Sequence, residues 1–157
     1  MSLSLRPATP DDEAFLCELY SSSRREELAS WGWDAAQRDS FLTMQFNAQQ
    51  AHFRSQFPEA DHSIVLVDGR AMGRMVVVRM EREIRIADIA LVPECRNAGI
   101  GTSLIRELHL EGTVSGKPLR LHVSKTNRAQ ELYARLGFAR IGDTGTHFLM
   151  EWAAGGE

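Results

Sequence analysis

Residues 94–105 read ECRNAGIGTSLI. An apolar strand pattern, Ile84 to Val92, leads into them, and Ile100, Leu104, Ile105 and Leu108 follow at helical spacing. A strand that turns through glycines into a helix aims backbone N–H groups past the helix N-terminus. Those donors and the helix dipole favour an anion, usually phosphate. Glycine permits close approach, because a Cβ would hold the ligand off. The spacing then removes two readings. A dinucleotide fingerprint needs a third glycine where Leu104 stands, and a P-loop needs Gly-Lys-Ser/Thr where Gly101 is followed by Thr102-Ser103. What remains is Arg-x-x-Gly-x-Gly, Arg96 to Gly101. By itself that hexapeptide fits a plain turn opening a core helix equally well.

Working outward, LSLRPATPDDEAFL opens with Leu3 and Leu5 alternating as a strand. Thr9 suits an N-cap, Pro10 the first helical position, and Asp12 puts a carboxylate in the positive first turn. The pattern predicts a helix to about Ser30, and a second one from Asp34 until Pro58 ends it. Ser63 to Val67 and Ala71 to Met80 read as strands joined by Asp68-Gly69, a tight hairpin signal. A second turn falls near Glu81 to Glu83. The helix after the glycines is predicted over 99–111, with Gly112 as its C-cap. Leu119, Leu121 and Val123 alternate as a strand, Asn127 to Leu136 as a helix closed by Gly137, and Phe138–Ile141 with His147–Trp152 as a last strand pair. The order is βααβββαβαββ, an α/β chain with a mixed sheet of six to seven strands. Residues 1–152 are expected to form one domain, and 153–157 a frayed tail.

The bulk numbers agree with a globular domain. The chain has 157 residues, is 43% apolar and 25% charged, and carries a formal net charge of −3. That charge, with arginines scattered along the chain, counts against nucleic-acid coating. No signal-peptide pattern or membrane-length apolar run appears, so a cytoplasmic protein with no membrane partner is expected. Cys17 and Cys95 are the two cysteines, and no metal-type cluster accompanies them.

Beyond the hexapeptide, the chain resembles the GNAT N-acetyltransferase superfamily, which moves an acyl group from coenzyme A to an amine. The likeness rests on the strand with Val-Pro-x-x-Arg-x-x-Gly-x-Gly (Val92 to Gly101), on Asn127 26 residues beyond, and on Leu-Tyr-x-x-Leu-Gly-Phe (Leu132 to Phe138). Its motifs cover roughly residues 60–152. The Arg-Pro-Ala-Thr-Pro-x-Asp opening is also typical, and FLTMQFNAQQ with the LHV run is similar to a bacterial subgroup. The resemblance implies that the pyrophosphate of acetyl-CoA rests on the amides of Asn97, Ala98, Gly99, Ile100, Gly101 and Thr102, with Arg96 adding a charge-assisted contact. The pantetheine arm would run along the backbone of Leu91 and Val92 and meet Asn127, which suits a helix cap equally well. Tyr133 matches the family's tyrosine beside the thiol, where a phenol can give a proton to the leaving thiolate; core packing is its plain alternative.

An attacking amine must also lose a proton. Asp88 shares a strand face with Ile84, Ile86, Ala90 and Val92, and a carboxylate among apolar neighbours suits a base. A structural carboxylate is the equal alternative. His122 stands five residues before Asn127, where ribosomal-protein acetyltransferases of the superfamily carry a glutamate base. An imidazole also suits proton transfer, although a plain strand histidine fits as well. A base acting through waters is a third route. Cys95 is read as incidental. Trp31, Trp33, Gln45 and Gln49 could line the acceptor side, and exposed helix surface is the blander reading. The expectation is an acetyl-CoA-dependent N-acetyltransferase without a metal, acting on an amine-bearing small molecule, peptide or protein; the family's frequent dimers through the last strand pair suggest a homodimer. The competing readings are a non-catalytic coenzyme A sensor and a structural module without a cofactor.

Overall fold

The computed structural model describes residues 2–96 and 98–154, apart from the side chains of residues 26 and 27. Seven strands form one mixed sheet in the order β1-β2-β3-β4-β5-β7-β6. The strands are β1 Leu3–Pro7, β2 Asp61–Val67, β3 Arg70–Arg79, β4 Ile84–Leu91, β5 Leu119–Ser124, β6 Ala139–Asp143 and β7 His147–Trp152. The helices are α1 Glu13–Ser22, α2 Arg25–Ala29, α3 Ala35–Gln56, α4 Ile100–Ser115 and α5 Ala129–Arg135. The chain divides into two compact units, residues 1–76 with 89–96 and residues 77–88 with 97–157. Among the described residues no helix is long and apolar enough to cross a membrane.

In the first unit, β1 runs antiparallel to β2, from Leu3 opposite Val67 to Pro7 opposite Ser63. Asp68 and Gly69 both have positive φ, 52° and 81°, as a two-residue hairpin turn requires. Leu16, Phe46 and Ile64 are buried together, with Phe15, Tyr20 and Leu66 packed on them. The α3 helix starts where Asp34 predicts, its carboxylate accepting the Gln37 N–H at 2.8 Å while the Gln37 side chain accepts the Asp34 N–H at 3.1 Å.

One expected helix is broken. The pattern ran on to Ser30, but the helix stops at Ser22 and resumes at Arg25. Ser22 and Ser23 donate their hydroxyls to the carbonyls of Leu19 and Tyr20 at 2.9 and 2.7 Å. Such back-bonding competes with the helix ladder.

The Asp12 carboxylate ties the start of this unit together. It accepts two bonds from Arg6 at 2.8 Å and the Thr9 N–H at 2.8 Å. The Arg6 guanidinium and then the Thr9 amide hold the carboxyl at about 2. The folded value lies below the unfolded one, so this stabilisation is present above about pH 4 and is lost as pH falls towards 2. Asp12→Asn should therefore cost about 1–2 kcal/mol at pH 7, since one charged acceptor of several bonds is lost. The cost should shrink at pH 3, which urea melts at the two pH values would show.

In the second unit, α4 carries Ile100, Leu104, Ile105 and Leu108 inward as their spacing predicts. They are buried, as are Leu119, Leu121, Val123, Phe138 and Met150. The expected C-cap at Gly112 is wrong. The helix runs on to Ser115, and Gly116 is the left-handed cap at φ 70°. Gly112 is a packing residue instead: a Cβ there would lie 2.8 Å from the Lys117 carbonyl and 3.1 Å from Trp152. β5 pairs antiparallel with β7 along its whole length. β6 pairs with β7 through an irregularity between Arg140 and Gly142.

Candidate active site

The glycine turn behaves differently at its two glycines. Gly99 is the N-cap of α4 with φ 80°, a left-handed backbone that favours glycine. Among the described residues a Cβ there would meet nothing within 4 Å. Gly101 is inside the first helical turn. A Cβ on it would make one ordinary contact, 3.5 Å from Leu132 Cδ2. Among the described residues no close contact demands glycine there, and glycine costs a helix about 0.5–1 kcal/mol against alanine. A ligand that comes close to the backbone would explain it.

β4 and β5 run parallel, yet only Ile84 with Leu119 and Arg85 with Arg120 are paired among the described residues. β5 keeps its full register with β7. Parallel partners share a face. Ile84, Ile86 and Asp88 therefore stand on the side of Leu119, Leu121 and Val123, and Arg85 stands on the side of Arg120 and His122.

Tyr133 lies on the first of these sides. It is 9% exposed, and its ring packs 5.7 Å from that of Phe138. Burial, and secondly the Asp88 carboxylate, push its phenol up to about 12. The Asp88 carboxylate thus acts on the Tyr133 phenol. Asp88 itself is half-buried.

His122 is on the other side. It is exposed, and Arg85 Nη1 lies 3.4 Å from its Nδ1. Burial, then Arg85, then His147 hold its imidazole below the ordinary value. The structure therefore places Asp88 with Tyr133 and leaves His122 apart from both.

The remaining candidates divide by their local bonds. Val92 donates its N–H to the Met72 carbonyl at 2.9 Å and accepts the Cys95 N–H at 2.9 Å. By strand alternation the main-chain groups of Leu91 point away from β3. Leu91 is thus the better placed of the pair to meet an added ligand strand. Asn127 accepts the Ala129 N–H on its side-chain oxygen at 2.8 Å, closing the turn ahead of α5, whose N-cap position is Arg128. Its amide nitrogen still carries two donors. Arg96 is exposed and pairs with no carboxylate among the described residues, and Ala98 is exposed. Asn97 lies outside the described residues. Cys95 is buried at 8% exposure.

Gln45 accepts the Tyr20 hydroxyl at 3.3 Å and a bond from Arg24. Gln49 accepts from Arg74 at 3.5 Å. Trp31 and Trp33 are exposed and pack edge-to-face, with Phe41 beside both.

Two residues escaped the sequence reading. Gly73 lies inside β3, where a Cβ would fall 2.5 Å from the Ala90 carbonyl oxygen and 2.7 Å from Leu91 Cδ2. A lone glycine in an apolar strand is the signal for such close approach. Arg85 gave no signal, since its partner His122 is 37 residues away.

A model of the acetyltransferase (GNAT) domain matches residues 59–140, more than half of the chain. The chain belongs to the GNAT acetyltransferase family. A segment of 86 residues is 40% identical to the Cysteine-rich protein 2-binding proteins of Mus musculus and Homo sapiens. That segment is 53% of this GNAT chain and 10% of each relative, so the chain spans only a small part of the curated relatives it matches. Among solved structures it is similar to the PaiA N-acetyltransferase of Thermoplasma acidophilum in complex with coenzyme A, with a TM-score of 0.72 at 19% identity over 98% of this chain and 99% of that one. It is also similar to an acetyltransferase from Thermus thermophilus, with a TM-score of 0.69 at 16% identity over 98% and 97%. At these identities the likeness speaks for the fold.

Proposed function

We propose that this GNAT chain is an N-acetyltransferase that passes an acetyl group from acetyl-CoA directly to a primary amine. The observation that carries the reading is the glycine turn at the start of α4, with the left-handed Gly99 as N-cap and Gly101 where, among the described residues, a Cβ would make one ordinary contact with Leu132. The amides of residues 98–102 offer the pyrophosphate donors at the start of α4, and Arg96 adds charge. Leu91 offers main-chain groups to the pantetheine arm, and Asn127 its amide nitrogen. When bound, acetyl-CoA supplies a thioester carbonyl open to attack. Asp88 takes the proton that the amine must lose. Tyr133 gives a hydrogen bond to the sulfur as it gains charge.

The acid–base assignment favours Asp88 over His122. Arg85 occupies Nδ1 of His122, whereas Asp88 lies close enough to Tyr133 to shift its phenol. The acceptor class stays at amine-bearing small molecules, peptides or proteins. Free-thiol release from acetyl-CoA, with and without pooled primary amines, tests the reading. Amine-dependent release is expected. Tight coenzyme A binding with no release on any amine would instead mark a coenzyme A sensor.

A further inference from the structure

Tyr133 stands at one end of a run of ring contacts. Its ring lies 5.7 Å from that of Phe138, and the Phe138 ring lies 5.9 Å from the imidazole of His109. The imidazole in turn stacks on the indole of Trp152, 4.1 Å away and within 10° of parallel. The run joins α5, the turn after it, α4 and β7. The backbone of that turn is tied to the same place. The Tyr133 carbonyl accepts the N–H groups of Leu136 and Phe138 at 3.1 and 3.0 Å. Gly137 between them has φ 93°, and a Cβ on it would lie 3.1 Å from the Trp152 indole. The ring and the backbone of Tyr133 thus both lean on the residues around Trp152.

His109 is a titratable member of this stack that the acid–base chemistry leaves unused. Its side chain is half-buried, and its Nε2 is buried and has no hydrogen-bond partner among the described residues. A hydrocarbon ring would fill the space without an unpaired nitrogen. What the imidazole adds is a site for a proton. Burial, and then Arg106 on the same helix, hold the ring below its ordinary value. From the turn and from β7 the uncharged rings of Phe138 and Trp152 face it. Glu151, beside Trp152 in β7, stands on the other side of the sheet and accepts from Arg120 at 2.7 Å. An indole face attracts a cation, but a charge buried without a partner costs more than that attraction gains. The neutral ring therefore fits the stack. A protonated ring must turn out to water, which leaves Phe138 without its support.

We propose that His109 is a positioning residue for Tyr133: the neutral imidazole holds the ring stack that places the phenol, and protonation of His109 releases Phe138 and, through it, Tyr133. The folded ring titrates below the ordinary value of about 6.5, so the stack is intact at pH 7 and is lost in mild acid. The chain thereby carries an acid-sensitive control on the chemical step that acts apart from coenzyme A binding. The consequence for kcat rests on the acetyltransferase reading; the coupling of the rings does not.

The test begins with NMR of the protein alone from about pH 8 to about pH 5, following the His109 imidazole and the tyrosine rings together. The chain has two tyrosines, and Tyr133→Phe tells them apart. The Tyr133 ring signals should shift with the midpoint of His109, below about 6.5, and His109→Phe should abolish that transition. A Tyr133 ring that does not follow His109 overturns the proposal, as does a His109 midpoint at or above the ordinary value. Should His109→Phe not fold, the wild-type spectra decide. The second arm measures kcat with acetyl-CoA and a primary amine that supports thiol release, alongside coenzyme A affinity, at pH 7.5 and 5.5. Wild-type kcat should fall at least about threefold further than that of His109→Phe, since a small misplacement of a reacting group is costly. Coenzyme A affinity should change alike in both proteins. Equal falls in kcat overturn the proposal, and so does an acid loss of coenzyme A affinity confined to the wild type, which would mark a general loosening of the fold. If no amine is acetylated, the acetyltransferase reading fails and the ring spectra still judge His109.

Discussion

Tyr133→Phe should lower kcat with acetyl-CoA and an amine by about 10²–10³, the cost of removing one donor aimed at developing charge. The phenol is pushed up to about 12 by burial and by Asp88, and its acidity sets what it can do. Complete proton transfer to a thiolate of reference value near 8.5 would run uphill by roughly 5 kcal/mol. A donated hydrogen bond needs no such transfer, and the same burial keeps the phenol protonated throughout the working pH range. The kcat profile of the wild type should accordingly show no alkaline limb from Tyr133 between pH 7 and 10. Phenylalanine fills the same space beside Phe138, so the melting temperature should move little. Equal rates for the two proteins would remove Tyr133 from the chemistry and return it to the core.

Gly73→Ala should lower stability by about 2–3 kcal/mol, at the upper end for overpacking. The intruding methyl would lie 2.5 Å from the Ala90 carbonyl oxygen, a backbone atom. Leu91 Cδ2, at 2.7 Å, can swing away. The carbonyl cannot, because the Val92 N–H is bonded to the Met72 carbonyl at 2.9 Å just beyond it. β3 and β4 must therefore separate where Leu91 is placed for the pantetheine arm. Urea melts read the stability, and coenzyme A titration should show weaker binding in whatever folded protein remains. A loss below about 0.5 kcal/mol, the range of ordinary surface changes, would contradict the close approach.

Much of this architecture is legible in the sequence, for local reasons. Asp68-Gly69 specifies its hairpin, Asp34 caps α3, and the apolar period of α4 survives in the fold. The misreadings also have local causes. Ser22 and Ser23 give their hydroxyls to the helix carbonyls, which a period of apolar residues does not register. Gly112 looked like a terminus because glycine ends helices, but what requires glycine is close packing, by the Lys117 carbonyl at 2.8 Å and by Trp152, 40 residues downstream, at 3.1 Å.

The candidate site divides in the same way. The glycine turn, Asn127 and Tyr133 sit in contiguous motifs and could be found by reading along the chain. Which side of the sheet Asp88 and His122 share, and the arginine beside the histidine, depend on the register of β4 against β5. That register is a pairing between distant segments that no local pattern encodes.

The central claim is that backbone amides of the 98–102 turn hold the coenzyme A pyrophosphate. Titration of coenzyme A into Gly101→Glu tests it most directly. The fold should accept this change: among the described residues a Cβ at 101 meets Leu132 alone, at 3.5 Å, helix propensity improves, and a carboxylate in the first turn suits the dipole. The bound pyrophosphate should not accept it, since like charges about 4 Å apart at an effective dielectric near 20 repel by about 4 kcal/mol. The account predicts an unchanged or higher melting temperature without ligand, together with coenzyme A affinity at least about 100-fold weaker and no ligand-induced stabilisation. Wild-type affinity in a folded Gly101→Glu protein would contradict it.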